Sequence, residues 1–120
     1  MKLMKLSWKT LSIPSIALLV VGVAGLALTS LLNQESPYES GVLAKTGNVE
    51  TGKKIFQQNC SACHGLEAKG LVGPSLQQVH TRKSDVILIR QVVSGKTPPM
   101  PKFELSEQQM SDLLSYLKTL

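Results

Sequence analysis

Two cysteines three positions apart, followed at once by a histidine, constrain this chain more than any other feature: Cys60-Ser61-Ala62-Cys63-His64. They are the only two cysteines present. Each thiol of such a motif can close a thioether to one vinyl group of a haem, and the imidazole then lies beneath the iron as an axial ligand. Competing chemistries fit less well. A redox-active dithiol expects a strand–helix context whose helix N-terminus activates the first thiol, whereas here a helical pattern runs into Cys60 from its N-terminal side. A zinc site needs four ligands, usually from a second paired cluster. A disulfide over so short a loop contributes little stability. The motif therefore predicts one covalently attached c-type haem (heme c) around which the rest of the chain folds.

Part of the length is not domain. The 22 residues from Leu11 to Leu32 carry no charged side chain, and as a helix they extend about 33 Å, enough to cross a bilayer core. Lys2, Lys5 and Lys9 precede them, and the next basic residue is Lys45. Basic flanks stay on the cytoplasmic side, so the N-terminus is expected in the cytoplasm and the remainder across the membrane. A secretory signal has a similar layout, with Gly25-Leu26-Ala27 as its cleavage site. The apolar run continues past that site through Leu28, Leu31 and Leu32, longer than a signal core, which favours a retained anchor. Pro14 falls in the first turn, where a helix tolerates it. Both readings export the motif to the outer side of that membrane.

Charge changes meaning once this segment is set aside. Three of the 13 Lys and Arg residues lie in the basic flank (1–10), leaving 10 against 8 Asp and Glu. The net charge of +5 is thus mainly a topology signal, and no basic run with interleaved aromatics supports nucleic-acid binding. Residues 33–47 are polar and interrupted by Pro37 and Gly41, which predicts a flexible tether. The domain proper is expected over 48–120. That is short for a self-sufficient core, and the one tryptophan, Trp8, lies outside it. A buried haem supplies the missing apolar bulk.

Three helices are predicted in the domain. Asn48 caps the first, whose apolar side is Val49, Gly52, Ile55 and Phe56. Ser84 caps the second, through Val86, Ile89, Val92 and Val93 to a stop at Gly95. Ser106 with Gln109 forms a capping box before the third, where Met110, Leu113, Leu114 and Leu117 share one face. No alternation of strands is visible, so the fold class is all-α.

A haem held by one histidine needs its sixth position explained. Met1 and Met4 stand on the far side of the apolar segment, and Met110 reads as a core filler. Met100 is different, because Pro98-Pro99-Met100-Pro101 restrains the backbone and presents the thioether on a stiff, extended loop. His80 is the rival ligand, although lone histidines are more often solvated. A ligating histidine usually donates its other ring N–H to a carbonyl or carboxylate. In Gly73-Pro74-Ser75-Leu76 a proline-stiffened turn can present such a carbonyl, with Pro74 the candidate.

These residues resemble the class I cytochrome c family over 48–120. The resemblance rests on Gly52 and Phe56, Cys60-Ser61-Ala62-Cys63-His64-Gly65, Gly73-Pro74-Ser75-Leu76, Met100 and Tyr116. It implies a domain of short helices around one haem, with Gly52, Phe56, Leu113 and Tyr116 where the first and last helices cross. It further implies His64 as proximal ligand, Met100 as distal ligand and a Pro74 carbonyl bonded to His64. The short domain, single anchor and Pro-Pro-Met-Pro-Lys-Phe loop are similar to the small M-type cytochromes c of cyanobacteria. The domain lacks the tryptophan that some relatives place near a haem propionate. The implied activity is one-electron transfer between membrane complexes rather than enzymatic turnover. The partners implied are a cytochrome bc- or bf-type donor and a terminal oxidase or photosystem as acceptor. Lys53, Lys54, Lys69 and Lys102 are candidates to ring the haem edge and steer an acidic partner, or are plain solvated lysines. The competing functions are a haem peroxidase, which needs an open iron site, and a tethered haem sensor or oxidase subunit.

Overall fold

The computed structural model describes residues 13–32 and 34–120. The basic flank with Lys2, Lys5 and Lys9, together with Met1, Met4, Trp8, Leu11 and Asn33, lies outside the described residues. Seven helices form among the described residues, with no strand. They divide between two units whose boundary falls at Gln34 and Glu35.

In the first unit, α1 (Ile13–Leu32) is 20 residues long. Its segment Pro14–Leu32 is long and apolar enough to cross a membrane. At about 1.5 Å per residue it extends about 29 Å, close to the thickness of a hydrocarbon core. Its leucines and valines are unburied, with Leu18 74% and Val21 70% exposed. A helix apolar all round is stable only inside a protein core or in lipid.

The second unit starts earlier than the sequence predicts. Where a flexible tether was expected over 33–47, the chain forms α2 (Pro37–Leu43). Pro37 occupies the first turn, where its missing N–H costs nothing. Ser36 and Glu39 close a reciprocal capping box, leaving two fewer orphan N–H groups at that end. Gly41 does not break the helix; it lies against the Glu107 carboxylate. Val42 is fully buried and Glu39 nearly so. The structure differs from a tether because Pro37 stands in a first turn, where it does not act as a breaker, and Gly41 packs against Glu107.

The three predicted helices appear as α3 (Val49–Asn59), α6 (Asp85–Ser94) and α7 (Glu107–Leu117), joined by the short α4 (Ser61–His64) and α5 (Val79–Arg82). Asn48 accepts the Thr51 N–H at 2.9 Å to start α3, and Ser106 with Gln109 caps α7 as expected. Ser84 occupies the N-cap of α6 but makes no side-chain cap bond. The principal packing is α3 on α7. A Cβ at Gly52 would overlap the Asp112 backbone carbonyl and come within 2.9 Å of Tyr116 Cβ. Glycine there lets the two backbones meet. One turn further on, the Phe56 and Tyr116 rings lie 5.4 Å apart and tilted by 52°, a centroid separation within the range of interacting aromatic pairs. Phe56, Ile89, Met110 and Leu113 form the fully buried centre, so Met110 is a core residue.

Candidate functional site

Cys60 ends α3 and begins α4, and its carbonyl accepts the His64 N–H at 2.9 Å. The following loop is stitched back onto this turn. Gly70 N–H donates to the His64 carbonyl at 2.8 Å, and Gly73 N–H to the Cys63 carbonyl at 2.7 Å. These two bonds bring residues 73–74 against the His64 ring. His64 Nδ1–H donates to the Pro74 carbonyl at 2.8 Å, leaving Nε2 as the ring's electron-pair donor. Gly73 forms the back of the ring's seat: a Cβ there would stand 2.7 Å from His64 Cε1 and 2.9 Å from Nδ1. His64 itself is buried, only 8% exposed.

The ring borders a cavity of about 460 Å³, within the range of roughly 300–1,000 Å³ typical of cofactor sites. Cys60, Cys63, His64, Pro74 and Met100 all line it, so the five residues singled out in the sequence converge on one space. Most of the remaining wall is apolar, with Phe56 and Leu113 from the helix crossing, Val79 from α5, Leu88 and Val92 from α6, and Phe103 beyond Met100. Asn59, Lys83, Gln91 and Thr97 add polar groups. Burial, then the neighbouring Cys63, push the Cys60 thiol up to about 11. A thiol so shifted is protonated at neutral pH, the opposite of an activated redox cysteine. Among the described residues no group of His, Cys, Asp and Glu forms a metal-ion site. Two thiols, one oriented imidazole, one thioether and an apolar wall are a donor set that fits a haem.

Met100 is reached by a turn rather than an extended loop: its N–H donates to the Thr97 carbonyl at 3.1 Å, across Pro98 and Pro99. Phe103 N–H donates to the Val92 carbonyl at 3.0 Å, fastening the loop to α6. Met100 Sδ accepts from Gln91 Nε2 at 3.5 Å, and Gln91 Oε1 accepts from Thr97 at 3.2 Å. Gln91 escaped the sequence reading. Its signal was a polar residue three positions after Leu88 and one before Val92, on a face otherwise buried in the cavity wall.

His80 is exposed on α5 and does not line the cavity, whereas its neighbour Val79 does. One helical step of about 100° separates the two directions. All four candidate lysines are exposed. Lys69 pairs with Glu67, and Lys102 lies 3.7 Å from Glu104, which offsets half of the proposed positive ring. Beside the exposed Cys63, Leu66, Leu71 and Val72 are 71–74% exposed. This apolar rim also went unread, although three bulky apolar residues in a glycine-rich loop are its signature.

Comparison with known proteins is consistent with this site. Residues 47–117 match the family model described as cytochrome C oxidase, cbb3-type, subunit III. A cytochrome c-553-like protein of Synechocystis sp. is 53% identical over 98 residues, covering 82% of this chain and 92% of the relative. Cytochrome c-550 of Bacillus subtilis is 28% identical, over 87% of this chain and 93% of the relative. Among solved structures, cytochrome cL from Hyphomicrobium denitrificans superposes with a TM-score of 0.51 at 24% identity. That match covers 68% of this chain and about half (49%) of the larger protein, and it supports the fold alone.

Proposed function

Since the chain belongs to the cytochrome c family, and so carries a covalently bound c-type haem and transfers electrons, we propose that it is a membrane-anchored one-electron carrier with His64 and Met100 as axial ligands. Cys60 and Cys63 would hold the macrocycle, and Pro74 would orient the proximal ring. When bound, the haem supplies a one-electron couple at the iron.

The observation that carries this reading is the convergence of Met100, His64, Pro74 and both cysteines on one largely apolar cavity. His64, with its Nδ1–H committed to Pro74, presents a single tautomer and a basic Nε2. Met100, fixed by the Thr97 turn and by Gln91, offers a neutral thioether, which favours the ferrous state and raises the potential. His64 and Met100 together would leave no open position for a substrate, which favours a carrier over a peroxidase. The exposed rim of Cys63 and Val72 is where a partner would approach the haem edge.

Anchoring is supported by α1, and the lysines before it favour a cytoplasmic N-terminus with the haem domain on the periplasmic or thylakoid-lumen face. The partners would then be redox complexes of that same membrane, a cytochrome bc- or bf-type donor and an oxidase or photosystem acceptor. Met100→Ala tests the site. The ferric protein should lose the far-red methionine–iron band, and its potential should fall markedly. An unchanged band and potential would exclude Met100 as ligand.

A further inference from the structure

The helix α2 lies outside the segment matched by the family model, which begins at residue 47. It nevertheless grips the part of the fold that carries Met100, at two points. Glu39 Oε1 accepts from Arg90 Nε at 2.6 Å and Oε2 from Nη2 at 2.8 Å, a two-pronged contact with α6. Arg90 is the residue next to Gln91, whose amide reaches Met100 Sδ. Tyr38 Oη donates to the Leu105 carbonyl at 2.8 Å, at the far end of the loop that runs from Gly95 through Met100. Between these points the loop is fastened by Phe103 to Val92.

Both gripping side chains are built for the task. The Glu39 carboxylate also accepts the Ser36 N–H at 2.9 Å, so the group that starts α2 is the group that holds α6. Glu39 is only 5% exposed, and an unpaired carboxylate at such a site would be costly. Tyr38 packs its ring against the core cluster and spends its one polar atom on the loop. Val42 fills the interior one turn further on.

We propose that α2 is a latch on the distal side of the haem site, with Tyr38 and Glu39 as positioning residues that keep Met100 at the iron. The latch rests on the assignment of Met100 as ligand. Tyr38 holds the loop's exit and Glu39 holds the helix that leads into it, so releasing either gives the Met100 segment more freedom to swing away.

The test uses the full-length haem-loaded protein in detergent. Cyanide binds ferric iron only after the methionine has left, so its binding rate reports how often Met100 departs. Tyr38→Phe keeps the ring and removes the donor, which should accelerate cyanide binding about fivefold, the factor expected for one lost hydrogen bond. Glu39→Gln should accelerate it at least as much. Asn48→Ala, which removes the α3 cap, controls for general loss of stability. Faster binding in both latch variants, beyond that in Asn48→Ala at matched unfolding midpoint, supports the latch. Rates equal to wild type, or equal to the matched control, overturn it. If Glu39→Gln fails to fold, Tyr38→Phe alone decides. A wild-type ferric protein without the far-red methionine band would refute the ligand assignment and the latch together. A normal band with unaltered variant rates would refute the latch only.

Discussion

Replacing Gly73 by alanine tests the proximal side of the site with a single methyl group. The new Cβ would stand 2.7 Å from His64 Cε1, 2.9 Å from Nδ1 and 3.2 Å from Nε2, whereas ordinary contact begins at 3.4 Å. Relief therefore requires the ring to retreat by about 0.7 Å, a figure that follows from the first of those distances. Retreat of Gly73 instead is opposed by the bond from its N–H to the Cys63 carbonyl at 2.7 Å. A ring displaced that far stretches its 2.8 Å bond to Pro74 to the edge of hydrogen bonding. Losing that bond costs about 1 kcal/mol, and overpacking a fitted site costs about 1–3 kcal/mol. Gly73→Ala should thus destabilise the haem-loaded protein by about 2–4 kcal/mol, read as the shift of a guanidinium midpoint followed by far-ultraviolet circular dichroism. The potential should rise as well, because an imidazole that no longer shares its N–H with a carbonyl is a poorer donor to ferric iron. A midpoint within about 0.5 kcal/mol of wild type, together with an unaltered potential, would refute the seat described for His64.

Two further outcomes follow from the helix contacts. Gly52→Ala pushes a methyl group into the Asp112 backbone carbonyl, which cannot rotate away, so α3 and α7 must part. The expected loss is about 3 kcal/mol or more, with weaker near-ultraviolet dichroism from the Phe56–Tyr116 pair; full retention of both would show that the helices cross elsewhere. For Glu39, the hydrogen bonds from Arg90, then the Ser36 N–H, outweigh burial and hold the carboxyl below the usual carboxylate range. A depressed folded value means the contribution is complete above the unfolded value of about 4.3 and is lost as pH falls through the folded one. The stability gap between wild type and Glu39→Gln should therefore be constant near neutrality and shrink below about pH 4. A gap independent of pH down to the acid transition would show that the carboxylate charge does not stabilise the fold.

What could be read from the sequence was chemistry that is local or that admits few residue types. Cys60, Cys63 and His64 carry their meaning in five consecutive positions, and Asn48 and Ser106 announce helix starts by the residues that follow them. Met100 stood out because the other methionines were spoken for and prolines framed it. The misses share a cause. Glu39 means little until Arg90, 51 positions away, is beside it, and Gln91 reads as one polar residue until the chain turns Met100 back upon it. Gly41 and Pro37 look like breakers because local statistics do not know that Glu107 will lie against the one and that the other will open a capped helix. The extended loop expected around Met100 became a turn, since a proline pair restricts backbone angles without dictating whether the chain reverses.

The position of α2 also decides where this protein can be cut. A fragment trimmed to the family boundary at residue 47 would discard Val42 from a fully buried seat, worth about 1.5–3 kcal/mol for a side chain of its class. It would also strip Tyr38 from Leu105 and Glu39 from Arg90. A fragment beginning at Glu35 keeps every one of those contacts and omits α1 entirely. The unit that keeps these contacts without α1 is therefore 35–120, a dozen residues longer at its N-terminal side than the family boundary suggests.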